Sequence, residues 1–436
     1  MEKYSVFVAF APHFKALARV AYFKIVSKDE SNAKRMLYEL YRFMMWFFIL
    51  LYNIQHLIRV IQENRVEVDL LLDIASSVAV RSQSLSSRRS LVRHSTEQLV
   101  DTLFILLTTL NCLGKQVAFN ARSGRIHKII ETIQESTFAP TKPNHLDLLK
   151  KNAVSMSQIL SFYQCGCLTC AALWTIFPFI NRARGREVTF TGYLPFDTSV
   201  TSTFYLALAY MSVLITIQAF GHVTMDCTIV AFYAQAKVQI KMLRYNFEHF
   251  MDADEENIKI DTQITGTNYE QNTHKVNTND IIIMTQKRLT NYVDHYEKIA
   301  SFVKEVESIF SEAMIVQFFA MAWVICMTVY KIVSLSLLSV EFISMAMYLG
   351  CMLGQLFIYC YFGTKLKVES EFICQSVYCG DWLSLSPSFR RKLLVFMSYC
   401  SKPLALRTAY IIPMCLDTYI AVLKSSYSLF TFLNRN

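Results

Sequence analysis

The sequence predicts an all-α integral membrane protein with seven transmembrane helices, its N-terminus cytoplasmic and its C-terminus extracellular. Of the 436 residues, 53% are hydrophobic and 18% are charged, whereas an average soluble domain carries about 25% charged residues. The apolar residues are concentrated in runs long enough for a helix to cross the roughly 30 Å hydrocarbon core of a bilayer. Seven spans are predicted, at residues 37–60, 99–117, 153–179, 202–229, 309–333, 336–361 and 409–433.

Other architectures fit the sequence less well. No ten-residue units of strict apolar and polar alternation occur, which disfavours a β-barrel. Most of the twelve cysteines lie in or beside apolar segments, so they are expected to be small buried side chains instead of a disulfide framework. Residues 1–26 lack the pattern of a cleavable signal peptide. Residues 1–36 are therefore predicted to form a cytoplasmic segment ahead of one seven-helix domain at residues 37–436.

The distribution of Lys and Arg sets the predicted orientation. With the N-terminus inside, the inner segments, counting Lys115 at the end of the second span, carry roughly three times as many Lys and Arg as the outer ones, as expected for cytoplasmic flanks. A basic, Ser-rich tract at residues 78–94 is the exception, because it falls on the outer side. The segment of about 80 residues between the fourth and fifth spans contains polar tracts and is expected to be partly disordered.

Motifs for enzyme chemistry are absent from the sequence. It contains no Gly-x-Ser-x-Gly, no Gly-rich phosphate loop and no His-x-x-x-His pair. Cys165, Cys167 and Cys170 are close in sequence, but no His or acid lies nearby and a helix would spread their thiols, so no metal site is expected. The net charge of +9 lies mostly on the inner flanks, where it would meet anionic lipid instead of nucleic acid. We therefore expect no enzyme activity, no cofactor and no nucleic-acid partner.

The C-terminal third of the chain contains an ordered series of short motifs. The residues of these motifs are Gly363, Leu366, Ser370, Tyr378, Trp382, Phe389, Arg390, Lys402, Pro403, Leu404, Leu416, Leu423, Lys424, Ser426, Tyr427, Ser428, Phe430 and Thr431. Together, at this spacing, they resemble the end of the insect odorant receptors, and Phe389-Arg390 would open an amphipathic helix. Weaker matches extend over most of the chain, and residues 62–98 are the stretch that the resemblance does not explain.

The resemblance implies a function and an assembly. A member of this family would be an odorant-tuning subunit of a tetrameric, odorant-gated, nonselective cation channel, and it would assemble with the co-receptor Orco. Each subunit would contribute its last helix to a central pore, and a small volatile odorant would bind in the outer half of the helix bundle. Such a protein is expected as a multi-pass protein in the plasma membrane of an olfactory sensory neuron, in contact with membrane lipid.

The outer halves of four spans supply the candidate odorant-binding residues. A site for a volatile ligand is expected to be apolar with few polar groups, and rings, Met and thiols adapt to loosely defined shapes. Each of these residues taken alone is more often plain core. The candidates are Phe104, Thr108, Cys170, Trp174, Tyr205, Ala209, Met211, Met345 and Tyr348.

The last span contains the candidate pore residues. Ala421, Ser425, Ser428, Phe432 and Arg435 follow one another at steps of four, three, four and three, so they share one helical stripe. Ser hydroxyls followed by one bulky ring fit a pore that is closed by dewetting at a hydrophobic constriction. The resemblance places Phe432 at that constriction and Arg435 near the outer mouth, and the pore candidates are therefore Ser425, Ser428, Phe432 and Arg435. The plainer interpretation is that small residues let helices pack closely.

Three alternatives stay open. A G-protein-linked sensory receptor also has seven helices, but its N-terminus lies outside. A gustatory-type chemoreceptor channel would share the Thr418-Tyr419 step, although Lys424 and Ser425-Ser426 interrupt the pattern that should follow. A transporter would be expected to show internal repeats and broken helices, and the sequence shows no sign of either.

Overall fold

The fold is a bundle of long, packed helices. A computed structural model describes residues 5–25, 31–77, 85–185, 188, 190–198, 200–250, 278–335, 339–380, 382–383, 385–408 and 412–435. Of residues 66–77, 85–101, 278–282, 334 and 432–435 it describes the backbone alone. The helices are α1 (Ala11–Arg19), α2 (Asn32–Ser77), α3 (Leu85–Ala121), α4 (Ser123–Gln134), α5 (Pro143–Ala183), α6 (Thr201–Glu248), α7 (Thr278–Ser334), α8 (Val340–Cys379), α9 (Pro387–Cys400) and α10 (Leu416–Arg435). A hairpin of β1 (Arg407–Thr408) and β2 (Ile412–Pro413) precedes α10, and 3₁₀ turns lie at Val6–Ala9 and Ser136–Phe138.

Six of the predicted spans correspond to helices long and apolar enough to cross a membrane. Among the described residues these six are Asn32–Arg65, Thr102–Ala121, Pro143–Ala183, Thr201–Glu248, Ile283–Val333 and Val340–Cys379. The seventh span corresponds to α10, whose 20 residues would reach about 30 Å. The prediction of a membrane protein built from helices is therefore confirmed.

The short connection between α7 and α8 marks one end of the bundle. Helix α7 ends at Ser334, and α8 begins at Val340 instead of the predicted residue 336, with the Ser339 hydroxyl accepting a hydrogen bond from the Phe342 backbone N–H at 3.0 Å. This side-chain cap satisfies one of the free N–H groups at a helix start. We call this end the upper end. The opposite end, where α1, α4 and α9 pack, is the lower end.

Two helices are much longer at the lower end than the hydrophobic runs indicate. Helix α6 continues to Glu248 and α7 begins at Thr278, so the prediction of one long, partly disordered segment there is wrong for residues 230–248 and 278–308. The polar residues 251–277 lie outside the described residues. Part of the basic tract at 78–94 is likewise helical, from Leu85 onward in α3.

The last span begins later than predicted. Residues 412–413 form β2, and α10 starts at Leu416 instead of residue 409; residues 409–411 lie outside the described part of the chain. The turn before α10 fits closely against α8 at Gly363. A Cβ atom added at Gly363 would overlap the Met414 carbonyl oxygen, so only a glycine allows this approach.

The N-terminal segment is part of the same core as the long helices. Phe10 and Phe14 are buried, and the Phe10 ring lies 5.0 Å from the ring of Phe232 on α6. Tyr22 is fully buried beside Cys112 of α3, with the two side-chain polar atoms 3.6 Å apart. Residues 5–25 therefore pack as part of the hydrophobic core at the lower end.

Helix α9 forms where the amphipathic pattern predicts it. Ser386 caps its start by accepting from the Phe389 N–H at 3.3 Å. Phe389, Leu393 and Phe396 are buried, and the Phe396 ring stacks on Phe247 of α6 at 5.1 Å. The apolar side of this short helix therefore closes the lower end of the bundle.

We expect His13 to make the protein less stable in mild acid. Its ring is fully buried in α1, neither ring nitrogen has a hydrogen-bond partner within the described chain, and burial lowers the pKa of His13 from 6.5 to about 4. As pH falls, His13 is therefore protonated in the unfolded chain before it is protonated in the folded protein. The stability that neutral His13 provides is therefore complete above pH 6.5 and is lost as pH falls toward 4.

The expected loss between pH 7 and pH 5 is about 2 kcal/mol in the free energy of unfolding, from about 1.4 kcal/mol per pKa unit. Thermal unfolding of the purified protein at the two pH values measures it. His13→Gln, which cannot titrate, should flatten this dependence. An unchanged pH dependence in that variant would show that other groups cause it.

Candidate functional site

Three aromatic side chains from three helices meet in the upper half of the bundle. The Phe104 ring on α3 lies 4.8 Å from the Tyr348 ring on α8 and 6.1 Å from the Trp174 ring on α5, and the Trp174 and Tyr348 centroids are 5.8 Å apart. The Tyr348 hydroxyl lies 3.0 Å from the Thr108 hydroxyl, which itself donates to the Phe104 carbonyl oxygen at 2.9 Å. Because both hydroxyls are hydrogen-bonded within the cluster, the surface of the cluster consists mainly of ring faces and ring edges.

A cavity lies against this aromatic cluster, between α3, α5, α6 and α8. Its free space is about 760 Å³, counting the open solvent at its open side. We call it the inner cavity. The residues that line it include the predicted Phe104, Thr108, Cys170, Trp174 and Tyr348, and also Cys112, Cys167, Gln218, His222, Cys351, Met352 and Gln355.

A second cavity lies above the first one and shares its aromatic wall. Phe104 and Trp174 line both cavities, and the predicted Met211 and Met345 line the second. Its free space is about 1190 Å³, counting its open side, and its wall includes Lys331 and Glu341, whose side chains form an ion pair at 3.5 Å. We call it the outer cavity. A molecule entering from the upper end would thus pass from a partly polar space to an apolar one.

Two of the nine predicted ligand residues lie away from both cavities. Ala209 is on an exposed side of α6, and Tyr205 is 45% exposed, with its ring 6.2 Å from Phe179 and 5.6 Å from Phe204. Tyr205 lies about one turn nearer the helix start than Leu208, which lines the outer cavity. Tyr205 and Ala209 therefore line neither the inner nor the outer cavity.

The floor of the inner cavity is polar, which the sequence did not predict. Gln218 and His222 on α6 and Gln355 on α8 line it and are almost fully buried. His222 accepts a hydrogen bond from Lys115 at 2.8 Å, and Lys115 also pairs with Asp226. Lys115 is therefore not the inner flanking charge that the sequence predicted, because its side chain is fully buried in the bundle. Ionisable residues inside apolar spans are the signal that could have found this group.

Up to Thr431, the described side chains of helix α10 are buried or half-buried on one side and exposed on the other. Ser426 is buried and its hydroxyl donates to the Ala322 carbonyl oxygen of α7 at 3.0 Å. The predicted pore residues Ser425 and Ser428 are exposed, with their hydroxyls donating to backbone oxygens of their own helix, and Lys424 is exposed as well. The Ser stripe therefore faces away from the other helices of this chain. Phe432 and Arg435 belong to α10, but their side chains lie outside the described residues.

Comparisons with known proteins agree with this architecture. Residues 95–427 match the family described as 7tm Odorant receptor. Odorant receptor 19a of Drosophila melanogaster is 28% identical over 152 residues, which cover 35% of this chain and 39% of that protein. Odorant receptor 94a of the same species is 22% identical over 251 residues, covering 57% of this chain and 58% of that protein. The matched stretches thus span less than two thirds of these relatives.

Solved structures share the whole fold. The insect olfactory receptor OR5 from Machilis hrabei, solved in complex with eugenol, superposes with a TM-score of 0.74 at 13% identity, covering 98% of this chain and 99% of that one. A second structure of the same receptor gives a TM-score of 0.74 at 14% identity. The family match covers about three quarters of the sequence, from before the aromatic cluster to the Ser stripe of α10. The chain belongs to the seven-transmembrane odorant receptor family.

Proposed function

We propose that the protein is an odorant-gated, nonselective cation channel subunit that assembles with the co-receptor Orco in the plasma membrane of an olfactory sensory neuron. The observation that carries this proposal is the inner cavity, lined by Phe104, Trp174 and Tyr348 and lying within the helix bundle. An apolar site of this kind suits a small volatile molecule, since burial of apolar ligand surface supplies the binding energy. The structural neighbour that was solved with eugenol, a small aromatic compound, supports this ligand class.

The exposed side of α10 supports the channel part of the proposal. A stripe of small residues and hydroxyls that faces away from the other described helices of its own chain is suited to line a pore shared by several subunits. Odorant would favour opening only by binding the open state more tightly than the closed one. Lys424, exposed near the same stripe, would lie at a seam between subunits or reach water.

The flanking charges support the proposed orientation in the membrane. Even without Lys115, the segments at the lower end keep the excess of Lys and Arg, and this supports a cytoplasmic lower end. The upper end, with both cavities, would then face the extracellular side, from which odorant arrives. The C-terminus of α10 would also be extracellular.

Current recording tests the proposed function. Cells expressing this chain together with Orco should show inward cation current when a panel of volatile odorants is applied, and cells expressing this chain alone should show little or none. Orco expressed alone is the matched control for odorant-independent current. Equal odorant-evoked currents with and without Orco would contradict the heteromeric assembly.

Topology separates the proposal from a G-protein-linked receptor. An epitope tag at the C-terminus should be labelled on cells that have not been permeabilised, whereas a tag at the N-terminus should need permeabilisation. The reverse labelling would refute the proposed orientation and with it the channel class.

A further inference from the structure

Six buried polar residues form a layer beneath the inner cavity. Gln218, His222 and Asp226 follow one another at four-residue steps on α6, so they share one face of that helix. Gln355 and Tyr359 are related in the same way on α8. With Lys115 of α3 these residues form what we call the polar layer, and each is no more than 3% exposed.

Charged and hydrogen-bonded contacts join the three helices in this layer. Lys115 forms an ion pair with Asp226 and donates to His222 at 2.8 Å, and the Tyr359 hydroxyl donates to the same Asp226 oxygen, Oδ1, at 2.6 Å. A charge pair inside membrane-spanning helices is costly unless it is well partnered, so such groups are commonly functional. We therefore expect the ion pair of Lys115 and Asp226 to have a role besides packing.

Some polar groups of the layer lack partners. Both polar atoms of the Gln218 amide, and the carbonyl oxygen of Gln355, have no hydrogen-bond partner among the residues that the structure describes. Buried amide groups without hydrogen-bond partners destabilise the folded protein. They can therefore take new partners at little cost when the helices around them move. This gives the layer a second possible bonding arrangement.

The layer reaches the cavity on one side and the start of α10 on the other. Gln218, His222 and Gln355 line the inner cavity. One turn of α8 beyond Tyr359, Gly363 lies directly against the Met414 backbone. The next residue, Thr364, accepts a hydrogen bond from the Leu416 N–H at 3.0 Å, at the first turn of α10. Because no space separates α8 from this turn, a shift of α8 must move the start of α10.

We infer that the polar layer couples the inner cavity to the pore helix, with Tyr359 as the positioning residue that holds α8 on Asp226. Ligand in the cavity would displace Gln355 and His222, change how Asp226 and Tyr359 are bonded, and pass the movement along α8 to Met414 and α10. This inference rests on the proposed channel function. Opening would then depend on residues outside the pore stripe, of which Tyr359 and Asp226 do not line the inner cavity.

Tyr359→Phe is the first test, carried out on the heteromer with Orco. It removes one hydroxyl without removing the ring. The maximal odorant-evoked current should fall about tenfold, the effect of losing a hydrogen bond to a charged group. Surface amount, and the rise in the unfolding temperature of the purified heteromer at saturating odorant, should be retained. Tyr296→Phe is the matched control, because Tyr296 is also buried but packs against Phe396 at the lower end.

Paired replacement of the ions is the second test, because it separates coupling from stability. Lys115→Met or Asp226→Leu alone leaves one buried charge and should reduce surface expression. Combining them removes both charges, which commonly restores folding. We expect the double variant to recover at the surface and still bind odorant but to give little current.

Each outcome decides between the inference and its rivals. Wild-type heteromer without odorant-evoked current would refute the proposed function itself. With normal wild-type current, an unchanged maximal current in Tyr359→Phe would overturn the coupling role. So would a double variant that regains both expression and full current, because the pair would then serve stability alone. If the double variant fails to reach the surface, Tyr359→Phe and its control decide.

Discussion

Replacing both Trp174 and Tyr348 with Ala should weaken the response to odorant by at least tenfold in the concentration that gives half-maximal current. Both rings line the inner cavity, and each lies within about 6 Å of Phe104, centroid to centroid. Losing the contact of one large apolar side chain costs about 1.5–3 kcal/mol, and about 1.4 kcal/mol is a factor of ten in affinity. Dose–response curves of the heteromer, normalised to surface expression, measure the change.

Tyr205→Ala is the matched control for this variant. It removes from α6 a ring of the same size as that of Tyr348, but the Tyr205 side chain is 45% exposed and lines neither cavity. Odorant potency should therefore stay within about twofold, as for a surface change that touches no binding group. Unchanged potency in the Trp174 and Tyr348 variant, with normal surface amount, would mean that odorant binds elsewhere. A large loss in Tyr205→Ala would point to the outer face of α6 instead.

The helices of this fold were predictable because hydrophobic length alone defines a span. The runs at residues 37–60, 153–179 and 202–229 all lie inside helices. Their continuation at the lower end was not predictable from that signal, because residues 230–248 and 278–308 mix polar and apolar positions. These extensions are helical because their apolar faces pack on α1 and α9, which is tertiary information. The late start of α10 has a similar cause, since Pro413 and the β1–β2 hairpin replace the first helical turn.

The candidate site was predictable in its composition but not in its details. Aromatic and sulfur-containing side chains in the upper halves of the spans pointed to Phe104, Trp174 and Tyr348, which do meet. Tyr205 was misplaced because sequence alone does not give the height of a residue relative to a cavity formed by other helices. The pairing of Lys115 with Asp226 joins residues that are far apart in the chain, so no local pattern reveals it. Lys115 and Asp226 could each be recognised in the sequence separately, as a charged residue within an apolar run.

Phe432→Ser should raise the current that flows without odorant. Phe432 shares the helical stripe of Ser425 and Ser428, which faces away from the rest of the chain, and we propose that it is this subunit's part of a hydrophobic constriction. An apolar neck excludes water, and therefore ions, because it cannot replace their hydration shell. A hydroxyl there should lower that barrier, increasing leak or altering cation selectivity while odorant potency changes little. Orco subunits complete the ring, so the increase will be partial.

Phe430→Ser is the control for the pore face. Phe430 is half-buried, and its ring lies 6.4 Å from that of Tyr427. Its position on the helix is about 160 degrees around the axis from position 432. The same change at this position should disturb the packing of α10 and lower surface expression without changing which cations pass. Leak and reversal potentials, recorded under two cation gradients, separate the two variants. If Phe430→Ser alters permeation and Phe432→Ser does not, α10 must be rotated about its axis, and the pore would be lined by the side that carries Ser426.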